Sequence, residues 1–111
     1  MTIPTDPEAE FNIIADNLAT RADTVRKKVF GLPNIAVNGK AFAAFQNGDM
    51  AFKLAGDAHA QALEITDSSL WDPSGQGRPM KEWVRVPASE SAHWPTFAEH
   101  AYTYVAEVSS R

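Results

Sequence analysis

The stretch NIAVNGKAFAAFQNGDMAFKL, residues 34–54, decides the fold of this chain. It contains three short apolar runs, which are separated by the pairs Asn38-Gly39 and Asn47-Gly48. Asn-Gly between apolar runs is a strong hairpin signal, because both central residues of a type I′ turn need a positive φ. The stretch therefore predicts an antiparallel meander of strands.

The side chains of the meander are expected to alternate between the two faces of the sheet. This alternation places Ile35 and Val37 together on one face. It also places Phe42 and Ala44 on a common face. These apolar pairs predict that one side of the meander packs against helices.

Helical spacing predicts a first helix from about Pro7 to about Thr20. Asp6 suits the start of this helix, because its carboxylate can accept hydrogen bonds from free backbone N–H groups. Pro7 suits it too, because proline is tolerated at the first helical position. The apolar residues of this helix that are expected to be buried are Phe11, Ile14 and Leu18.

Two more helices are predicted later in the chain. The second runs roughly from Asp57, its expected N-cap, to Ile65. The third begins near Trp94-Pro95. The residues expected to line its apolar side are Phe97, Ala101, Tyr104 and Val108, with Ala98 and Val105 beside them.

The stretch GRPMKEWVRVP, residues 77–87, contains a strand with two different faces. Alternation points Val84 and Val86 toward the helices, and Trp83 and Arg85 toward the opposite, open face. Val84→Ala is therefore expected to lower the free energy of unfolding by roughly 1–3 kcal/mol. Arg85→Ala is expected to change stability by less than about 1 kcal/mol and to weaken whatever the open face binds.

These signals together predict a single α+β domain over residues 1–111, of which residues 1–5 are expected to be disordered. The expected order of elements is α-β-β-β-α-β-β-α. Three helices would pack on one face of an antiparallel sheet of about five strands. The other face of that sheet would then be open.

The composition argues against several classes of chemistry. The chain has no cysteine, which excludes disulfides, thiolate catalysis and zinc-finger ligand sets. Its histidines, His59, His93 and His100, are scattered, so no metal site is predicted. No serine lies in a nucleophile motif. We therefore expect a protein that is not an enzyme and that needs no cofactor.

Charge and hydropathy indicate the expected cellular location of the protein and the partners that it is not expected to bind. The start, MTIPTDPEAE, is acidic and has no apolar core segment, unlike a signal peptide. No apolar run approaches the ~20 residues that span a bilayer. The net charge is −4, which argues against general binding of nucleic acid. We expect a cytoplasmic protein with no membrane contact.

The sequence also resembles a known family. The stretch KVFGLPNIAVNGKAFAAFQNGDMAFKL, residues 28–54, is similar to the start of the TfoX N-terminal domain family and its YjbR-like relatives. GRPMKEWVRVP and FAEHAYTYV resemble later segments of that family. The positions that match the family pattern are Phe30, Gly31, Gly39, Lys40, Phe42 and Lys53.

The resemblance implies a two-layer α+β fold with a curved antiparallel sheet, like that of secretion chaperones. TfoX proteins are regulators of bacterial competence and carry a second, C-terminal domain, which we do not expect in this protein. The resemblance brings no catalytic residues with it. It implies a bacterial regulatory or protein-interaction module.

Five residues are candidates for a binding surface on and beside the open face. Trp83 and Arg85 suit a protein partner or a second subunit, because Trp and Arg are enriched at interface centres. Lys53 is expected to approach them, since alternation turns it away from the face of Met50 and Phe52. The full candidate set is Lys53, Arg78, Lys81, Trp83 and Arg85.

Two other uses of this surface stay open. The first is a small molecule, a nucleotide or another anion, bound by Arg78, Lys81 and Lys53. Gly75-Gln76-Gly77 can present backbone N–H groups to such an anion next to Arg78. The alternative for that loop is a flexible connection without a ligand. The second use is single-stranded nucleic acid, held by cations around Trp83. The alternative there is that the cations only cover apolar surface with their stems.

Overall fold

The fold is that of a computed structural model, which describes residues 6–29 and 31–110. The expected disorder of residues 1–5, and Phe30 of the family pattern, lie outside the described residues. The elements are α1 Pro7–Leu18, β1 Thr24–Val29, β2 Leu32–Val37, β3 Lys40–Gln46, β4 Asp49–Lys53, α2 Gly56–Glu64, β5 Ser69–Trp71, β6 Met80–Val86, a 3₁₀ segment Ala88–His93 and α3 Trp94–Ser109.

The strands form one antiparallel sheet in the order β1-β2-β3-β4-β6-β5. The helices pack on one side of it, so the predicted α+β architecture is confirmed. The described chain has six strands rather than about five, and four of them precede α2 rather than three. The difference lies in the meander, where the basic edge strand β1 pairs along its whole length with β2.

Both Asn-Gly pairs form the hairpin turns that the sequence predicts. Asn38 and Gly39 have φ values of 52° and 79°, and Asn47 and Gly48 have 54° and 85°. Two successive positive φ values are what a type I′ turn requires, and its twist matches that of the flanking strands. Local turn chemistry therefore sets the path of the meander.

The main core lies between the sheet and the helices. Val84 and Val86 belong to it and are fully buried, as the alternation predicts. Of the residues expected to be buried, Ile14 is only half-buried. The others are buried as predicted, namely Phe11, Leu18, Phe42, Phe52, Val84, Phe97 and Ala101.

The apolar side of α3 differs from the prediction. The residues it buries are Trp94, Phe97, Ala98, Ala101 and Val105. Val108 is 39% exposed and Tyr104 is half-buried. The reason is Trp94, which is fully buried and whose Nε1 donates a hydrogen bond to the backbone oxygen of Val86 at 3.1 Å. This anchor turns α3 so that the stripe through Trp94 faces the sheet.

The helix starts differ in part from the predicted caps. Asp6 is at the N-cap of α1, but its side chain makes no capping hydrogen bond. α2 begins one residue earlier than expected, with Ala55 at its N-cap. Asp57 therefore lies in the first turn of α2, where its charge interacts favourably with the helix dipole.

A β-bulge changes the faces of β3. Ile35 pairs with Ala43 and Ala36 pairs with Ala41, so Phe42 is an extra residue between them. An extra residue shifts the alternation by one position. The expectation that Phe42 and Ala44 share a face is therefore wrong. Phe42 packs in the core on the helix side, whereas Ala44 lies on the other side of the sheet.

Candidate binding groove on the open sheet face

The side of the sheet away from the helices, called the open face below, carries a second apolar cluster. Its buried members are Ala44, Ala51, Trp71 and Trp83, with Leu32 and Ala41 packed against them. No helical residue of the described chain belongs to this cluster. Trp83 thus lies on the face that the sequence predicts, yet it is only 7% exposed.

Trp71 and Trp83 pack against each other on this face. They come from the paired strands β5 and β6, and their ring centroids are 5.1 Å apart with the planes at 46°. Trp71 Nε1 donates to Gln46 Oε1 at 3.0 Å, and Gln46 Nε2 donates to the backbone oxygen of Pro73 at 3.0 Å. These bonds hold Trp71 in one orientation, so the Trp71–Trp83 pair forms a rigid wall on the open face.

A groove of about 580 Å³ lies beside this wall. Small residues, Ala41 and Ala44, leave space on the sheet surface, and Leu32 and the tryptophans rise around it. The residues that line the groove are Leu32, Asn34, Ala41, Ala44, Gln46, Trp71, Pro73, Ser74, Met80 and Trp83. Small-molecule sites typically measure ~300–1,000 Å³ and have mainly apolar walls with a few polar groups.

Asn34 is the buried polar residue of this groove. It lies on β2 directly opposite Ala44 and is 5% exposed. Its Nδ2 donates a long hydrogen bond of 3.5 Å to the backbone oxygen of Leu32. Its Oδ1 is buried and finds no hydrogen-bond partner within the described residues. A buried acceptor in that state is unfavourable.

The structure does not gather the five predicted site residues. Trp83 lines the groove and the four cations do not. Lys53 lies opposite Trp83 in the β4–β6 pair, but its Nζ is 3.9 Å from Glu82 Oε1. Lys81 is exposed, and its backbone oxygen is 2.8 Å from Nε2 of His59. The basic surface expected around Trp83 is therefore dispersed.

Arg85 lies on the open face but is engaged within the protein. Its Nη1 is 2.8 Å from Asp49 Oδ2, and its Nη2 donates to the backbone oxygen of Asp67 at 2.8 Å. The other carboxylate oxygen of Asp49 accepts the backbone N–H of Ala88 at 2.9 Å. This changes the expectation for Arg85→Ala, because the side chain joins β4, β6 and the turn before β5 instead of standing free for a partner.

The glycine loop is organised by Asp72. Its carboxylate accepts the hydroxyl of Ser74 and the backbone N–H groups of Gly75, Gly77 and Arg78, at 2.8 to 3.1 Å. The hydrogen bond from Ser74 is the largest cause that lowers the pKa of Asp72, and the backbone bonds add to it. The N–H groups expected to meet an external anion thus already bind an internal one, and the loop is not a loose connection.

Neither a metal site nor a membrane-spanning helix accompanies the groove in the described part of the chain. Within residues 6–29 and 31–110, no three His, Cys, Asp or Glu side chains come close enough to hold a metal ion. Nor does that part of the chain contain a helix that is long and apolar enough to cross a membrane.

Sequence reasoning missed the groove because its members come from distant parts of the chain. A signal was present in four of the five alanines of the meander, those at 36, 41, 44 and 51, whereas the fifth, Ala43, packs in the main core. Alanine is depleted in strands, so a row of alanines on one face indicates a place where side-chain volume is missing. The bulge at Phe42 hides this row, because simple alternation divides it between the two faces.

No protein-family model matches this chain, and no curated protein or solved structure matches it. The geometry of the groove is therefore the basis of the function proposed below.

Proposed function

We propose that this domain is a non-catalytic binding module that holds an uncharged, mainly apolar small molecule in the open-face groove. The observation that carries the proposal is the groove itself, with about 580 Å³ of space beside the Trp71–Trp83 wall and one buried polar side chain, Asn34. Apolar walls with a few polar groups are the usual composition of a small-molecule site.

The charge of the groove favours a neutral ligand. None of the described residues that line it carries a charge. An ion placed there would lose its water without gaining an opposite charge, which is strongly unfavourable. The neutral lining argues against the anion and nucleic-acid alternatives, since both ligands are charged.

We propose a module without catalytic activity because of the same lining residues. General acid–base chemistry needs a titratable group at the reacting atoms. Among the described lining residues, the only hydroxyl side chain is that of Ser74, and it donates to Asp72. Hydrogen bonds from Ser74 itself and from backbone N–H groups lower the pKa of Asp72, which makes this carboxylate a poor base for activating the hydroxyl.

The concave form favours a small molecule over a protein partner. A stable protein interface buries about 800 Å² on each side and is usually broad. Here the apolar surface is a trough whose floor is made of alanines. A regulatory role, as the resemblance to TfoX domains implies, is compatible with this, because a ligand can switch a regulator.

The three tryptophans provide a direct test by NMR. Uncharged bicyclic aromatic compounds are titrated into ¹⁵N-labelled protein, and the indole N–H signals are followed. Trp71 and Trp83 line the groove, whereas Trp94 is buried on the helix side. We expect the first two signals to move with saturation and the third to stay.

A variant with a filled groove tests whether the compounds bind there, and the same substitution elsewhere is its control. Ala41 is half-buried in the groove, so Ala41→Leu should occupy its space and abolish the shifts. Ala60→Leu makes the same change on the exposed side of α2 and should leave them intact. Failure of every compound to shift the Trp71 and Trp83 signals would refute the proposal, as would binding that survives Ala41→Leu.

A further inference from the structure

We infer that the outer edge of β1 binds an extended acidic peptide segment, which adds to the sheet as a further strand. This inference does not depend on the groove, because none of the described residues that line the groove belongs to β1. It follows from the hydrogen-bonding pattern of β1, from its three successive cations and from a hollow beside it.

β1, Thr24–Val29, lies at one edge of the sheet and pairs with β2 alone among the described strands. The pairing runs over the whole strand without a register shift. A regular edge strand presents a row of unpaired N–H and C=O groups, to which another strand can pair. The strand at the other edge, β5, has only three residues, so β1 is the longer template.

The hydrogen bonds between β1 and β2 show which backbone groups point outward. The N–H of Asn38 donates to the backbone oxygen of Asp23 at 2.9 Å, and these two residues extend the β1–β2 register by one position. Hydrogen-bonded and non-hydrogen-bonded pairs alternate along an antiparallel ladder. The odd-numbered residues of β1 therefore bond to β2, and the even-numbered ones direct their N–H and C=O groups outward.

Two of the outward N–H groups are left for a partner. Pro33, which has no N–H, lies opposite Lys28, where the ladder requires none. Thr24 already donates its N–H to the backbone oxygen of Arg21 at 3.3 Å. In the described part of the chain, the N–H groups of Arg26 and Lys28 thus have no acceptor. An added strand supplies acceptors for them and donors for the outward C=O groups.

The side chains of β1 determine which strand can be added. Arg26, Lys27 and Lys28 are consecutive and exposed. Arg26 lies 2.7 Å from Asp16 of α1, whereas Lys27 and Lys28 form no ion pair with another described residue. Val25 is 46% exposed on the same strand. Because opposite charges on paired strands stabilise a sheet, the fitting partner has acidic residues opposite the cations and an apolar one opposite Val25.

The same charges argue against a second copy of β1 as the partner. Antiparallel pairing of two copies about Lys27 would place this residue opposite its own counterpart, and Arg26 opposite Lys28. Like charges in direct opposition are destabilising, and lysines on an edge strand often prevent such pairing. They do not act against an acidic strand. A nucleic acid is also anionic, but its phosphates only accept hydrogen bonds and would leave the outward C=O groups without donors.

A hollow at this edge provides space for a side chain of the partner. It measures about 380 Å³ and lies between α1 and β1. Its described charged lining consists of Arg26, Lys27 and Lys28 against one acid, Glu8. Alternate side chains of an added strand point to the helix side of the sheet, so one of them can enter the hollow. The excess of cations favours a carboxylate there.

The peptide Val-Glu-Glu-Glu-Val-Thr, with blocked ends, is the antiparallel complement of β1. It is titrated to millimolar concentration into ¹⁵N-labelled protein, and the exchange of each backbone N–H with water is measured by NMR. We expect exchange at Arg26 and Lys28 to slow by at least ~5-fold at saturation, because both N–H groups gain acceptors. The N–H groups of Val25 and Lys27 should change little, since they already bond to β2.

Two controls test the charge requirement. The peptide Val-Lys-Lys-Lys-Val-Thr should bind at least ~10-fold more weakly, because it places cations opposite cations. Lys27→Glu should raise the Kd of the acidic peptide about 3- to 10-fold. Lys81→Glu makes the same change at an exposed position of β6 and should leave that Kd unchanged.

Several outcomes would overturn the inference. One is that the acidic peptide does not bind, and another is that both peptides bind equally well. Binding without slower exchange at Arg26 and Lys28 would show charge attraction instead of strand addition. Tighter binding of a short oligothymidylate would indicate a nucleic-acid surface. A dimer in sedimentation that protects these two N–H groups without peptide would show that a second copy occupies the edge.

Discussion

Arg85 and Asp49 form an ion pair of 2.8 Å across the β4–β6 pair, and Asp49 also accepts the backbone N–H of Ala88. One carboxylate thus joins two central strands to the segment that leads into α3. The side chains of the pair are 33% and 22% exposed, so solvent screens it only in part. Its role in the fold is a structural one.

This pair predicts an unequal effect of removing its members. Arg85→Ala should lower the free energy of unfolding by about 1 kcal/mol, and Asp49→Ala by about 2 kcal/mol, because the second change also frees the N–H of Ala88. Urea unfolding of both variants and of the double variant measures this. The double variant should lose less than the sum of the single losses. Simple additivity would show that the pair contributes nothing.

The loop after β5 should depend on Asp72. Asp72→Ala removes the acceptor of three backbone N–H groups, so the amides of Gly75, Gly77 and Arg78 should exchange with solvent much faster. Hydrogen exchange followed by NMR measures this. Asp57→Ala, an exposed aspartate on α2, is the control and should leave these amides unchanged.

The same loop should respond to acid. Hydrogen bonds lower the pKa of Asp72 from its ordinary value of 3.8, so the carboxylate stays charged above that value. As the pH falls through the lowered pKa, the carboxylate is protonated and its hold on the loop is lost. Protection of Gly77 should therefore fall only below pH 3.8. A loss of protection near neutral pH would contradict this account.

Glu99 should contribute to the loss of folding stability at acid pH. Arg21 donates to both of its carboxylate oxygens, at 2.9 and 2.6 Å, and these bonds lower the pKa of Glu99 from 4.5. Because the folded pKa is the lower one, the stabilisation is complete above pH 4.5 and is lost as the pH falls through the folded pKa. The pair is exposed, so its value should stay below about 1 kcal/mol.

Arg21→Gln tests this directly. The NMR titration midpoint of Glu99 should rise toward the ordinary value in the variant, because the donor of both bonds has been replaced. Glu64→Gln, a change at an exposed position of α2, serves as the control and should leave that midpoint where it is. An unchanged midpoint in Arg21→Gln would show that the pair does not form in solution.

The parts of the fold that the sequence predicts correctly are those that depend on neighbours in the chain. Asn38-Gly39 and Asn47-Gly48 specify their turns by their own backbone preferences. The two faces of β6 follow from alternation within one uninterrupted strand. Such signals need no knowledge of distant residues, and for that reason they could be read from the sequence.

The parts that escaped prediction depend on contacts between distant residues. The face of α3 is set by the packing of Trp94 under Val86, and the face of Ala44 by a bulge whose partner strand is β2. The groove needs both this bulge and the pairing of β5 with β6, which brings Trp71 to Trp83. The dispersal of the predicted basic residues has a related cause, since the side chain of Arg85 pairs with Asp49, which is distant in the sequence.

Two valines, both expected in the core from the sequence, distinguish a position that the local pattern predicts correctly from one that long-range packing decides. Val84 is fully buried between the sheet and the helices, whereas Val108 is 39% exposed on α3. Val84→Ala should lower the free energy of unfolding by roughly 1–3 kcal/mol through lost burial and a cavity. Val108→Ala should stay within ~0.5 kcal/mol, since it removes little burial and alanine is the better helix former.

Urea unfolding of the two variants, with equal m-values, measures the difference. The substitution is the same in both, so only its place in the fold differs. Val84→Ala should also leave the groove intact, because Val84 lies on the helix side of β6 and Trp83 on the other. If Val108→Ala is the more destabilising, α3 packs through the Tyr104–Val108 side after all. If the indole N–H signal of Trp83 no longer shifts when compounds are titrated into Val84→Ala, the two faces of the sheet are not independent.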